Sequence, residues 1–311
     1  MEAYAWTSWV PAAATLAVLL GVLAAARLLE RASPRTAVPA AWGVFAVGVT
    51  AVGFAVAREP AGTRMLAFGA AMFLAMKAVV LAAAREEGMA RLPLGRWLLF
   101  TLAWFGMQPR TFARRRQGVA AKALAWRGLR NAGVGAGCIV VARALGGVSD
   151  SAPGSVWAVL LLALGLSLLV HFGAFTLLTA AFTARGFAVR LPFDAPLRAR
   201  SPAEFWARRW NRGFAEMTSL VVHRPLRARL GARGAYLAAF VVSGLLHEVA
   251  ISLPVRAGYG LPTLYFALQG LLAWHAGARL PRLAGLLLIV LPLPLVFHPW
   301  FVADVLMPLL G

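Results

Sequence analysis

The stretch Y-L-A-A-F-V-V-S-G-L-L-H-E-V-A-I-S-L-P, Tyr236–Pro254, decides the fold. An apolar run of this length matches the roughly 20 residues a helix needs to cross about 30 Å of hydrocarbon. Only His247 and Glu248 within it titrate anywhere near neutrality. Ionisable side chains inside such a span are costly and point to a function or a specific pairing. Ser243 and Gly244 stand one turn before His247, so that face is small and slightly polar, with room for a ligand or a close helix.

The rest of the chain agrees with a membrane setting. Of its 311 residues 61% are hydrophobic and 14% charged, against roughly 45–50% and 25% in soluble domains. Further apolar runs predict spans at Pro11–Leu29, Val38–Ala57, Met65–Ala84, Asn131–Leu145, Ser155–Phe182, Pro262–Ala278 and Ala284–Leu310. With Tyr236–Leu253 they make about eight transmembrane helices in one multispan membrane domain over 1–311. Trp97–Met107 is apolar but too short to cross, and is expected to be re-entrant or interfacial. Only Glu2 precedes the first apolar run, so a basic signal-peptide start is missing and the run is expected to be retained as a span.

The formal charge of +20 comes almost wholly from arginine, since lysine occurs only at Lys77 and Lys122. Arg27–Arg35, Arg85–Arg96, Arg110–Arg130 and Arg185–Arg233 are arginine-rich and are assigned to the cytoplasm, which puts both termini outside. The basic residues lie in short loops between apolar spans, so nucleic acid is not an expected partner; membrane lipids are. An Ala/Arg/Gly-rich, lysine-poor composition suggests a bacterial inner-membrane protein. The lone Cys138 forms no disulfide framework and reads as a packing residue, and five scattered histidines give no metal site.

Upstream of the decisive helix stands S-P-A-E-F-W-A-R-R-W-N-R, Ser201–Arg212. Ser, then Pro at the first position and Glu three residues on, is a helix-start signature. At roughly 100° per residue, Trp206, Trp210, Gly213, Phe214 and Met217 share one arc, with Arg208, Arg209, Arg212 and Glu216 opposite. One amphipathic helix with an aromatic face is predicted, with Asn211 at the border of the apolar arc beside Ala207.

Together F-W-A-R-R-W-N (Phe205–Asn211), H-R-P (His223–Pro225) and F-V-V-S-G-L-L-H-E (Phe240–Glu248) resemble the wax-synthase-like branch of the membrane-bound O-acyltransferases. The family-specific block runs from about 201 to 254, and Asn211 precedes His247 by 36 residues (247 − 211). The chain departs from the plant wax synthases at F-A-L-Q-G, Phe266–Gly270, where a phrase like F-L-L-H-G would place a histidine at Gln269. That departure leaves the acceptor preference open.

The resemblance implies an all-α integral membrane fold, with interfacial or re-entrant helices around a central tunnel. It also implies acyl transfer from acyl-CoA, as co-substrate and with no cofactor, to a lipophilic alcohol. Long-chain alcohols giving wax esters are favoured over a sterol-like or small secondary-metabolite acceptor. A positioned imidazole takes the proton of an attacking alcohol, and burial favours the uncharged ring that a base requires; His247 has this part. A carboxamide stabilises the developing oxyanion, which is assigned to Asn211. Trp206, Trp210, Ser243, Arg208, Arg212 and Glu248 complete the expected substrate site. Glu248, about 100° round the helix from His247, better suits holding an arginine or a helix end. Arg114–Arg116 and Arg208–Arg212 are candidate contacts for coenzyme A phosphates.

A reading from another class makes Lys77, His247 and Glu248 a transporter's proton or substrate path, although no inverted repeat supports it. Lys77 is otherwise expected to pair with a buried acid such as Glu248 or to snorkel. His171 and His275 read as satisfied core residues, His223 as an aid to placing the decisive helix, and His298 as the mark of a kink.

Overall fold

A computed structural model describes residues 2–114, 121–148, 152–276 and 281–311. Among them the chain is helical apart from turns, as an integral membrane protein of this composition requires. The long elements are α1 (Trp9–Leu29), α2 (Pro34–Ala55), α3 (Ala61–Glu86), the short α4 (Leu94–Ala103), α5 (Ala121–Val148) and α6 (Val156–Ala184). A short α7 starts at Pro202–Glu204 and continues through Phe205–Arg209. There follow α8 (Arg212–Val255), α9 (Leu261–Ala276), α10 (Arg282–Val296) and α11 (Pro299–Leu309).

By length and apolarity five helices of the described residues are able to cross a membrane: α1 with its preceding turn, α2, α3, α6 and α8. A sixth arises if α10 and α11, bent by 69°, form one broken span. The eight expected spans are thus five or six on this criterion. The predicted span Pro262–Ala278 appears as α9, whose 16 described residues extend only about 24 Å; Ala278 lies outside the described residues. Asn131–Leu145 lies within α5, which packs along α6 and carries Lys122, Arg127, Arg130 and Arg143.

Helix α3 is the central post. Two thirds (67%) of its apolar window is buried, against 17% in α1. Small residues at Ala71, Ala75, Ala78 and Ala82 let its neighbours approach. The outer helices turn Leu16, Leu20, Val47 and Phe54 outward, as lipid contact demands.

Three breaks in the helices shape the interior. Helix α4 ends at Ala103 and the chain turns extended at Trp104 (φ −109°, ψ 129°), so Trp97–Met107 is helical only to Ala103 and too short to cross. Lys77, fully buried in α3, donates from Nζ to the carbonyls of Trp104 (2.7 Å) and Gly106 (2.6 Å), between the rings of Phe100 and Phe73. This corrects both expectations for Lys77: it neither snorkels nor meets Glu248. Helix α8 is too long for one straight crossing, about 66 Å for its 44 residues. It breaks at Gly231 (φ 67°), leaving the part after Gly231 as the spanning rod.

The third break is in α10, where Pro292 has no N–H to offer the Leu288 carbonyl. Gln269 Nε2 donates to that oxygen at 3.0 Å, and Tyr265, one turn earlier on α9, donates to the Ile289 carbonyl at 3.1 Å. Gln269 Oε1 also accepts the indole N–H of Trp206 at 3.1 Å. His298 sits at the α10–α11 bend, as expected, and its Nδ1 accepts the Phe301 N–H (3.2 Å).

Replacing Gln269→Leu removes the partner of one half-buried carbonyl and one half-buried indole N–H. The expected loss is about 1–3 kcal/mol, read as a melting temperature lowered by several degrees in detergent. An unchanged melting temperature would show that neither group depends on Gln269.

Candidate active site

The site is built where α7, both limbs of α8 and α9 meet. Ser201 Oγ accepts the Glu204 N–H (3.2 Å), so α7 begins at the expected cap. Glu204 lies outside the spans. Its carboxyl is held below the usual range, first by the Arg200 backbone N–H and then by Arg209.

The single amphipathic helix expected over this region does not form. The chain stops being helical at Trp210 and turns at Asn211, which adopts the left-handed conformation (φ 44°, ψ 59°) before helix resumes at Arg212. Asparagine tolerates that conformation better than most residues. Asn211 Oδ1 caps the new helix by accepting the Phe214 N–H at 3.3 Å. The oxygen is thereby tied back, and Nδ2 has no protein acceptor among the described residues. Despite the break, the predicted division of faces survives: Trp206, Trp210 and Phe214 turn to one cavity, and Arg208, Arg209 and Arg212 to another.

The first cavity has a volume of about 440 Å³, within the range of small-molecule sites. Its wall brings together Asn211, Trp206, Trp210, Ser243 and His247. His247 Nδ1 lies 2.7 Å from the Ser243 carbonyl one turn back. A carbonyl only accepts, so Nδ1 carries the hydrogen and an uncharged ring keeps its lone pair on Nε2. The rings of Phe266 and Phe214, centred 4.2 and 5.8 Å away, pack against the imidazole. Ser243 Oγ is spent on the Ala239 carbonyl (2.9 Å).

The second cavity, about 480 Å³, is polar and lined by Arg190, Arg208, Arg209 and Arg212 with Asp194, Glu204 and Glu216. Four guanidiniums face three carboxylates, and only Arg209 is in an ion pair, with Glu204 at 2.7 Å. Among the described residues, Arg190, Arg208 and Arg212 form none. Ala207 and Glu216 line both cavities, so the arginine basin adjoins the His247 cavity across a shared wall.

Arg208 and Arg212 therefore lie next door to His247 rather than in its cavity. Glu248 is a correction: it is absent from both linings. Its Oε1 accepts the N–H groups of Gly260 (3.1 Å) and Thr263 (3.0 Å) and the Thr263 hydroxyl (2.8 Å), holding the start of α9. That is the helix-end role weighed for it in sequence. With Lys77 on the α4 carbonyls, the Lys77–His247–Glu248 path of the transporter reading is not assembled. Of Arg114–Arg116, Arg115 and Arg116 lie outside the described residues, and Arg114 lines neither cavity.

His223, an expected aid to placing α8, also lines the His247 cavity. His171 packs among Phe175, Phe193 and Trp210, and His275 sits 3.3 Å from Arg233. Gln108, Glu216 and Tyr236 also line the cavity, though sequence did not single them out for it, as does Phe240, the first residue of the motif ending in Glu248. Only the wheel, which placed Glu216 with the arginines, carried any signal of the first three.

Residues 189–268 match the Membrane bound O-acyl transferase family. A stretch of 93 residues is 37% identical to the "Long-chain-alcohol O-fatty-acyltransferase" of Simmondsia chinensis, covering 26% of this chain. The chain spans about a quarter (26%) of the length of that relative. The matched residues contain Asn211, His247 and the walls between them, so the family resemblance of the motif block is borne out on the block that forms the cavity.

The left-handed turn makes Asn211→Gly and Asn211→Ala unequal. Glycine accepts φ 44° freely and costs a cap only a few tenths of a kcal/mol, whereas alanine adds roughly 1–2 kcal/mol of backbone strain. Thermal unfolding in detergent should rank the alanine variant clearly below the glycine one. Equal stability would mean that the turn relaxes.

Proposed function

We propose that the protein is an acyl-CoA-dependent O-acyltransferase, with a long-chain alcohol as the favoured acceptor and a wax ester as product. The observation that carries this reading is one apolar cavity walled by both His247 and Asn211, next to a basin with three unpaired arginines. The arginines suit the phosphates of coenzyme A, which guanidinium groups bind bidentately. The apolar cavity suits the thioester end and a lipophilic alcohol.

In this mechanism the Ser243 carbonyl fixes the His247 tautomer, and Nε2 takes the hydroxyl proton as the alcohol oxygen attacks the thioester carbon. The Asn211 amide, its oxygen held by Phe214, donates from Nδ2 to the carbonyl oxygen as negative charge gathers there. The tetrahedral intermediate collapses with loss of the coenzyme A thiolate, which takes the proton back from His247. Alcohol and thioester become ester and thiol, and no further cofactor is needed. A sterol-like or small secondary-metabolite acceptor uses the same chemistry. The arginine-rich, lysine-poor composition supports the bacterial inner membrane as its location.

The purified protein in nanodiscs, given long-chain acyl-CoA and a long-chain alcohol, is expected to form ester detectable by mass spectrometry. His247→Ala should lower turnover by about 10²–10⁴ with the melting profile kept. Asn211→Gly should lower kcat by about 10–10³ with little change in KM. Wild-type turnover by the folded His247→Ala protein would remove the imidazole from the mechanism. The double variant Arg208→Gln, Arg212→Gln should raise KM for acyl-CoA about tenfold or more, leaving kcat within about twofold. An unchanged KM would separate the basin from the donor.

A further inference from the structure

Lys77 lines neither cavity, yet it is one of the largest fully buried side chains and forms no ion pair among the described residues. Its two acceptors are the carbonyls of Trp104 and Gly106, at 2.7 and 2.6 Å. Both belong to the segment just past the end of α4, where no helical N–H follows to satisfy them. An amine, protonated or not, has the two N–H bonds this arrangement uses.

The segment so held presses backbone to backbone on the turn that carries Asn211. A Cβ placed on Gly213 would lie 3.1 Å from Gly106 Cα and 3.4 Å from both the Met107 nitrogen and the Phe105 oxygen. Even a methyl group there would push the two backbones apart by a few tenths of an ångström. Gly213 is buried in the first turn of the helix that Asn211 caps. Gln108, two residues beyond Gly106, reaches the cavity wall beside Asn211 and His247.

We infer that Lys77 is a positioning residue: by clasping the Trp104 and Gly106 carbonyls it fixes the ledge on which the Asn211 turn rests, and so aims the Asn211 amide. This rests on the proposed role of that amide. The chain of contacts is Lys77 to Gly106, Gly106 to Gly213, and Gly213 to the helix start capped by Asn211. The first link is a pair of hydrogen bonds, the second a tight backbone contact and the third the first turn of one helix.

The test is a kinetic cycle of wild type, Lys77→Met, Asn211→Gly and the double variant, each purified and checked for a single monodisperse species. Lys77→Met should lower kcat about tenfold or more with KM for acyl-CoA within about twofold. In the Asn211→Gly background the same substitution should change kcat by less than about twofold, because the amide it aims is already gone. A merely structural lysine would lower kcat by the same factor in both backgrounds, and that result overturns the inference. If Asn211→Gly alone leaves kcat intact, the amide role itself falls, and the inference with it, by a separate and recognisable outcome. Should Lys77→Met fail to accumulate, Gly213→Ala presses the same ledge from the other side with the lysine intact. It is expected to show the same kcat loss and the same disappearance of that loss beside Asn211→Gly; multiplicative effects would again overturn the inference.

Discussion

Hydrocarbon offers a freed backbone carbonyl or N–H no water, so every break in a membrane helix must find its partner within the protein. This chain breaks its helices repeatedly, and at several of these places a polar side chain answers. Lys77 answers for Trp104 and Gly106, Glu248 for Gly260 and Thr263, and Gln269 for the carbonyl that Pro292 strands. Asn211 caps the helix it opens. These groups hold the chain just past α4, the start of α9 and the bent α10.

The same groups connect stability to the site. Gln269 holds the α10 break with its amide nitrogen and Trp206 of the cavity wall with its oxygen. Glu248 is the neighbour of His247 in sequence and anchors the start of α9, which carries Phe266 against the imidazole. The aromatic rings then set the orientation that the hydrogen bonds leave free. His247 keeps one ring nitrogen on the Ser243 carbonyl and packs against Phe266 in a tilted and Phe214 in an edge arrangement. A ring held by a hydrogen bond and by packing on its neighbours is fixed in orientation before any ligand enters the cavity.

The membrane setting, the His247 helix and the Asn211/His247 pair were legible in sequence, because hydropathy and motif spacing are local signals. The wheel over Phe205–Met217 sorted aromatic from basic residues correctly even though the helix beneath it breaks. A left-handed turn of one residue advances the chain without mixing the two faces enough to merge them. The break itself carried no pattern beyond the tolerance of Asn for such a turn. The partners of Lys77 and Glu248 were illegible for a stricter reason. Apart from the Thr263 hydroxyl they are backbone groups, present at every residue, so no side-chain code marks which carbonyl or N–H a buried lysine or glutamate will meet. The span count suffered likewise, since apolar content does not distinguish a full crossing from the 16 described residues of α9.

Gln269 shows how a departure from a motif is weighed once its neighbours are known. A histidine was the residue anticipated there from the plant wax synthases, and its absence seemed to bear on the acceptor. In place, the glutamine is fully buried, receives one hydrogen bond from the Trp206 indole and gives one to the Leu288 carbonyl. An uncharged imidazole also has one donor and one acceptor, so either residue satisfies both neighbours in kind. The substitution therefore conserves the hydrogen-bonding demand of a helix break and a tryptophan, and it places no new polar group in the cavity, whose lining does not include Gln269. Trp206, Tyr236, Phe240 and Phe266 all line that cavity, and Gln269 reaches it only through the hydrogen bond by which it holds the Trp206 indole.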